Sequence, residues 1–302
     1  MNILVTGSLG TIGKPLCKEL YNRGHIVYGC DLIHTSDVNY RRCDISHYRQ
    51  ISDLIAEYEP DYVINLAAEF GRANGEDYYE NLWNSNVVGM KNLLELQNIY
   101  DFRLIHASSS EVYGNTDANP IAEETPFSHP QNDYAMTKVV NEWQIKNARE
   151  KYSSEVMIPR FFNCYGEGEY YTPYRSMVCI FCYRALMNIP YIVYLGYHRT
   201  IMYIDDFIPT LANCVDKFKS GLIVNIGGDE YLEVKQISDE ILKQLGKTDY
   251  NIHYASEQEH TVKDKNPDIS RAREFLHHDP KIRLEEGIAR TLAWMKKVYN
   301  VS

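Results

Sequence analysis

Tyr134 and Lys138 stand four residues apart in Asp133-Tyr134-Ala135-Met136-Thr137-Lys138, so on a helix both side chains leave the same face. An ammonium beside a phenol stabilises the phenolate, which gives a base able to take the proton of an alcohol while hydride leaves the same carbon. Upstream, Ser108-Ser109-Ser110-Glu111-Val112-Tyr113-Gly114 follows Leu104–Ser108, an apolar run that reads as a strand. A serine hydroxyl at the C-terminal edge of such a strand, where open α/β sheets bind ligands, can share a hydrogen bond with the oxygen that Tyr134 deprotonates.

A second constellation lies at the amino terminus. Gly7, Gly10 and Gly13, with Thr11 and Ile12 between the last two, separate an apolar run, Asn2–Thr6, from an amphipathic segment. At a strand-to-helix turn such glycines let backbone amides approach a pyrophosphate that a Cβ would hold off, and the helix N-terminus adds partial positive charge. Asp31 closes the next apolar run, after Val27-Tyr28-Gly29-Cys30, eighteen residues beyond Gly13. A carboxylate there accepts both hydroxyls of an adenosine ribose and repels a 2′-phosphate, which favours NAD over NADP. The alternative is an ordinary loop carboxylate.

These residues need a parallel sheet covered by helices to position them. Asn2–Thr6, His25–Asp31, Tyr62–Ala67, Leu104–Ser108 and Glu155–Arg160 read as strands, and Thr11–Asn22, Ser46–Glu59, Tyr78–Ile99 and Asn132–Tyr152 as the helices between them. The composition shifts after Asn163 to a stretch rich in Tyr, Cys, Met and Arg, without clear strand-helix rhythm. Leu222–Gly227 then reads as one more buried strand, Val234–Leu245 as a helix, and Leu284–Tyr299 as a closing amphipathic helix. The expected fold is α/β, a Rossmann-type doubly wound parallel sheet with a smaller C-terminal substrate-binding lobe. Residues 1–163 and 207–250 would form the cofactor domain, and 164–206 and 251–302 the lobe.

The chain has 302 residues, 44% of them hydrophobic, and a net charge of −10, which argues against a nucleic-acid partner. Met1 to Leu9 lacks the basic flank of a secretory signal, and the most apolar stretch, Ser176 to Gly196, is broken by Arg184, Asn188 and Pro190, so no membrane association is expected. Seven cysteines scattered through apolar runs read as reduced thiols of a cytoplasmic protein. Cys179 and Cys182 have a metal-like spacing, but no second pair follows and their neighbours read as a buried helix. His277-His278 reads as a structural surface pair, so no metal site is expected.

Taken in order, the glycine run, Asp31, Asn65-Leu66-Ala67-Ala68, Asn86-Val87-Val88-Gly89, Ser108–Gly114, Tyr134/Lys138, Arg160-Phe161-Phe162-Asn163-Cys164-Tyr165-Gly166 and Arg199-x-x-x-Tyr203-Ile204-Asp205-Asp206 resemble the extended short-chain dehydrogenase/reductases. More narrowly, they resemble the NAD-dependent nucleotide-sugar epimerase/dehydratase family. The resemblance runs on to Pro267-Asp268-Ile269-Ser270 and Leu284-Glu285-Glu286-Gly287. It implies Ser109 as the hydroxyl of a catalytic triad, Tyr134 as base, and Lys138 as the residue holding the nicotinamide ribose. Asp44 and Ile45 would meet the adenine, and Leu66, Ala67 and Ala68 would line the cofactor site. Ser110, Asn163, Arg175 and Arg199 would contact the nucleotide sugar, the last three toward its phosphates, although a solvated surface role for Arg175 is as consistent with the sequence.

The resemblance implies a shared first step, oxidation of the sugar's C4 hydroxyl. The ketone acidifies the adjoining C–H, and Glu111, matching the glutamate of the 4,6-dehydratases, is the carboxylate placed to abstract it. Glu69 also resembles a residue of some dehydratases. Ser110 departs from the aspartate of the dTDP-glucose dehydratases and is similar to the serine of the GDP-mannose type. The lean is to a dehydratase, with 4-epimerase, C4 dehydrogenase, UDP-glucuronate-type decarboxylase and a non-catalytic NAD-binding regulator as alternatives. Gly166–Arg175 departs from the family pattern, and Phe70–Glu80 is expected as a mobile loop over the sugar. A homodimer through the helices at Tyr78–Ile99 and Asn132–Tyr152 is implied by analogy.

Overall fold

Alternate residues along each central strand enter opposite cores. Ile3, Val5, Ile64, Ile105 and Met157 join one cluster, while Leu4, Val63, Leu104, Val156 and Ile158 join the other, the period-two signature of a sheet covered on both faces. The computed structural model describes residues 1–301; Ser302, the end of the expected lobe, lies outside the described residues.

The chain order is β1 (Asn2–Thr6), α1 (Gly13–Asn22), β2 (Ile26–Asp31), β3 (Tyr40–Arg42), α2 (Tyr48–Tyr58), β4 (Tyr62–Asn65), α3 (Arg72–Asp77), α4 (Tyr79–Trp83), a π-helical turn (Asn84–Val88) and α5 (Gly89–Tyr100). Next come β5 (Arg103–His106), β6 (Ser108–Ser109), a 3₁₀ turn (Ser110–Tyr113), α6 (Asp133–Tyr152) and β7 (Val156–Phe161). Then follow β8 (Cys164–Tyr165), α7 (Met177–Leu186), β9 (Tyr191–Tyr194), β10 (His198–Thr200), β11 (Met202–Tyr203), α8 (Ile204–Asp216) and β12 (Ile223–Ile226). The chain closes with β13 (Tyr231–Glu233), α9 (Val234–Leu245), β14 (Ile252–Ala255), β15 (Asp264–Lys265), α10 (Ser270–Leu276) and α11 (Leu284–Tyr299).

The main sheet is ordered β12-β7-β5-β4-β1-β2-β3, with β6 paired to β7, and every pairing in it is parallel. The strand order reverses between β1 and β4. At that switch point the C-terminal ends of two neighbouring strands part and leave a crevice. The expected doubly wound sheet is therefore present.

Four local features differ from the sequence expectation. Phe70–Glu80 is largely helical, in α3 and the start of α4, rather than a loop. The single helix expected at Tyr78–Ile99 is interrupted by a π turn, a form concentrated at functional sites. There Asn86 satisfies both backbone groups of Glu69: its Oδ1 accepts the Glu69 N–H at 2.9 Å and its Nδ2 donates to the Glu69 carbonyl at 3.0 Å. Thirdly, His278 is buried, not on the surface, and bridges Thr210 Oγ1 (2.9 Å) to the Gly227 carbonyl (2.7 Å). Residues 164–206, expected to lack strand-helix rhythm, hold four short strands, α7 and the first turn of α8. Cys179 and Cys182 sit buried in α7, where desolvation raises both thiols above their usual range.

Candidate active site

The crevice at the switch point is a cleft of about 650 Å³. Its floor begins with the glycine turn. Gly7 has φ +67°, and a Cβ on it would stand 2.8 Å from the Ala67 amide nitrogen, so only glycine lets the end of β1 pack on the end of β4. A Cβ on Gly13 would meet the Gly7 carbonyl at 2.2 Å. Gly13 opens α1, whose N-cap residue Ile12 offers no side-chain cap. The Lys14 amide donates to the Gly10 carbonyl (3.1 Å) and Pro15 has no N–H, so the Gly13 amide and the positive helix end are what face a ligand beside Gly10 and Thr11 in the cleft wall.

Asp31 lines the same end. It accepts the Leu9 N–H on Oδ2 (3.0 Å) and the Leu32 N–H on Oδ1 (2.7 Å), which fixes the carboxylate plane and leaves a lone pair on each oxygen for a diol. Asp44, Ile45, Leu66, Ala67 and Ala68 line this end as well. An uncapped helix start, a turn that tolerates no Cβ and a rigid carboxylate fit a dinucleotide.

The catalytic candidates meet further along the cleft. The ladder of β5 breaks at Ala107 before β6 begins, and the freed Ala107 carbonyl accepts Lys138 Nζ at 2.8 Å. Lys138 Nζ lies 5.7 Å from the Tyr134 ring centroid. Ser109 Oγ accepts the Glu111 N–H at 3.2 Å, capping the 3₁₀ turn. The same hydroxyl acts on Tyr134 as a hydrogen-bond partner that lowers its pKa. Asn132 caps α6 through the Ala135 N–H (2.9 Å), which starts the helix one residue before Tyr134.

The protonation states depart from the sequence expectation in one respect. Burial pushes the Tyr134 phenol up to about 12, Ser109 opposes this, and the Glu111 charge adds to it. The chain's own groups therefore hold the phenol above its usual range. Burial brings Lys138 down to about 8, with Glu142 pulling the other way. Glu111 lies below the usual carboxylate range because Lys265 and Arg199 outweigh its desolvation.

Of the residues expected toward the nucleotide sugar, Asn163 and Arg175 line the cleft. Asn163 is held at φ +24° with its amide on the Thr200 carbonyl (3.0 Å). Arg175 stacks over the Phe70 ring at 4.8 Å, and Tyr174 donates to Asp77 Oδ2 at 2.7 Å. Gly166–Arg175, which departs from the family pattern, and Phe70–Glu80 thus meet at the cleft. Ser109, Ser110 and Arg199 stand apart from the cleft wall, although Ser109 partners Tyr134, which lines it. Ser110 is buried in the 3₁₀ turn, and Arg199 spends its donors on the carbonyls of His198, Lys263 and Val262.

Sequence reasoning missed a buried polar layer beneath the site. Arg160 grips Glu142 through both carboxylate oxygens, Ser108 Oγ donates to Glu142 Oε1 (2.6 Å), and Arg160 Nη1 donates to the Tyr113 hydroxyl (2.8 Å). Glu142 was findable, since it follows Lys138 by one helical turn on the same face. Arg160 was not, because a strand arginine normally reads as a surface residue. Glu169 was missed too: it lines the cleft, accepts the amide (2.8 Å) and hydroxyl (2.7 Å) of Ser176, and is raised by burial. Among the described residues no cluster of three or more His, Cys, Asp or Glu is arranged to hold a metal, and no helix is long and apolar enough to cross a membrane.

Residues 3–227 match the NAD dependent epimerase/dehydratase family. The chain is 26% identical to the dTDP-glucose 4,6-dehydratase of Haemophilus influenzae, covering 97% of each chain. It is 28% identical to UDP-glucuronic acid decarboxylase 1 of Xenopus tropicalis over 98% of this chain and 72% of that protein. The solved UDP-glucose 4-epimerase of Thermotoga maritima superposes with a TM-score of 0.91 at 25% identity, over 99% of this chain and all of that one. The chain belongs to the NAD dependent epimerase/dehydratase family: it is an enzyme, and NAD is its cofactor.

Proposed function

We propose that this member of the NAD dependent epimerase/dehydratase family binds a nucleotide-diphosphate sugar, oxidises its C4 hydroxyl, and then removes water across C5 and C6, as a 4,6-dehydratase. The reading rests on one observation: Tyr134, Lys138 and an ionised Glu111 line a single cleft, and Ser109, just behind its wall, partners the Tyr134 hydroxyl. Tyr134 Oη takes the C4 hydroxyl proton as hydride leaves that carbon. Ser109, whose Oγ already accepts an amide, has its own proton free to bridge the same oxygens. Lys138 has one donor on Ala107, so two remain for the ribose, and its charge favours the phenolate. When bound, NAD supplies the hydride acceptor and later the donor.

The glycine turn and the start of α1 would hold the pyrophosphate, Asp31 the adenosine ribose, and Asp44 and Ile45 the adenine. Asn163 and Arg175, which line the cleft, would meet the sugar nucleotide's phosphates. Arg199 would act on the substrate only indirectly. Residues 1–163 and 207–250 are assigned to the cofactor unit and 164–206 and 251–302 to the substrate lobe, which is supported by β12 returning to the main sheet.

The likeness to the Thermotoga epimerase favours a second reading, 4-epimerisation, in which the ketone is reduced from its other face. Incubating the enzyme with GDP-, UDP-, dTDP- and CDP-hexoses and with UDP-glucuronic acid, then weighing the products by mass spectrometry, separates the two. Loss of one water supports dehydration, and an unchanged mass with altered stereochemistry supports epimerisation. Loss of carbon dioxide would mean decarboxylation, and loss of two hydrogens with accumulating NADH would mean simple C4 oxidation. The enzyme is further assigned as a homodimer through α4–α5 and α6, where Tyr79, Val88, Met136 and Trp143 stand exposed; sedimentation would detect a monomer.

A further inference from the structure

Lys265 is a buried lysine that the reaction as drawn does not use. Only 6% of it is exposed, and its ammonium pairs with Oε1 of Glu111, 154 residues earlier in the chain. Burying an ammonium costs several kcal/mol unless a partner and a rigid frame compensate. The frame is visible. β15 runs parallel to β10 with Arg199 opposite Lys265. Arg199 Nη1 donates to the carbonyls of His198 (2.8 Å) and Lys263 (2.7 Å), and Nη2 to that of Val262 (2.8 Å). One guanidinium thus ties down the two residues that lead into β15, which fixes where Lys265 enters the site.

The other end of the pair is equally constrained. Glu111 belongs to the cleft wall together with Tyr134 and Lys138. Its amide is held by Ser109, Lys265 holds Oε1 and the Asn132 side chain acts on the carboxylate, but Oε2 is sealed from solvent with no hydrogen bond of ordinary geometry among the described residues. An orphaned carboxylate oxygen is expensive in a protein interior, and its position next to the catalytic candidates gives that cost a use.

We propose that Lys265 is a positioning residue that captures Oε1 of Glu111 and so leaves the bare Oε2 as the acceptor of a carbon-bound proton of the oxidised sugar. The inference rests on the dehydratase reading above. In the step, the C5–H bond of the 4-keto sugar breaks and its electron pair passes into the enolate. The proton forms an O–H bond at Oε2. That proton then leaves with the C6 hydroxyl as water, which returns Glu111 to its starting state, while Lys265 stays an ammonium throughout. The groups that face Glu111 are Lys265 from β15, Arg199 from β10, Asn132 and Tyr134 at the start of α6, and the Ser109 hydroxyl. The two cations keep it ionised against burial.

The test uses Lys265→Met and Lys265→Arg, with Glu111→Gln to assign signals. Without substrate, carbon NMR of protein labelled at the glutamate carboxyl reads the Glu111 titration. Lys265→Met should move it upward and Lys265→Arg should restore it; an unmoved titration overturns the proposal. With UDP-glucose, dTDP-glucose, GDP-mannose and UDP-glucuronic acid as probes in deuterium oxide, NADH absorbance reports the hydride step and deuterium at C5 reports the proton step. Lys265→Met should leave NADH formation near the wild-type rate while deuterium incorporation falls about a hundredfold, and Lys265→Arg should recover most of it. Equal loss of both steps, or of neither, overturns the positioning role. NADH formation without C5 exchange in the wild type overturns the proton-acceptor role together with the dehydratase reading. If no probe yields NADH, the C4-oxidation reading fails and the carboxyl titration alone decides whether Lys265 governs Glu111.

Discussion

The carboxylate of Glu142 is closed on the guanidinium of Arg160, with Nε to Oε1 at 2.9 Å and Nη2 to Oε2 at 2.6 Å, and so acts on Lys138 only through its field. Were Glu142 free, it could seize the ammonium one helical turn away. Because Arg160 and Ser108 occupy it, Lys138 keeps its donors for the cleft while still gaining from a nearby negative charge. Removing that charge leaves Arg160 buried and unpaired. Glu142→Gln should cost about 3–5 kcal/mol in urea unfolding, and an unchanged midpoint would contradict the pairing.

The position of Lys138 also fixes a pH dependence with opposite signs for activity and stability. Its folded pKa is about 8, below the unfolded value of about 10.4. Between those limits the unfolded chain binds more protons, so the stability contribution of Lys138 rises with pH. Activity, which needs the ammonium, should fall as pH rises through about 8. Comparing unfolding and rate profiles of the wild type and Lys138→Met checks both; parallel trends would refute the assignment.

Tyr134→Phe removes the proposed proton acceptor and retains the ring. Turnover should drop by about three orders of magnitude, while the thermal stabilisation that NAD gives remains. Full activity in this variant would mean that another group takes the proton.

On the proposed reading, Asp31 supplies the charge that selects against a 2′-phosphate. Asp31→Ala should weaken NAD binding by about 1.5–3 kcal/mol, the loss of charged hydrogen bonds, and narrow its preference over NADP. Calorimetric titration with both dinucleotides measures this, and an unaltered ratio would remove Asp31 from the ribose site.

Local chemistry made much of this enzyme readable from its residues alone. Short continuous apolar runs announced β1, β2, β4, β5, β7 and β12, and Val234–Leu245 and Leu284–Tyr299 were legible to the residue because amphipathic periodicity is a property of neighbours along the chain. That the glycine turn, Asp31, Tyr134 and Lys138 would line one cleft was legible for the same reason, since each placement follows from short-range spacing. Tertiary structure alone decided what joins distant segments. It seated Lys265 on Glu111, withdrew Arg199 from the cleft to pin three carbonyls, buried Arg160 against Glu142, and made Asn86 in a π turn the support of Glu69. Apart from the His198 carbonyl, those partners lie 17 to 154 residues apart, and a buried charge is tolerated only where the whole fold delivers its counter-charge. No local window records that delivery. The sequence therefore identified the groups able to do chemistry, and the fold determined which oxygen, ammonium or guanidinium was left free to do it.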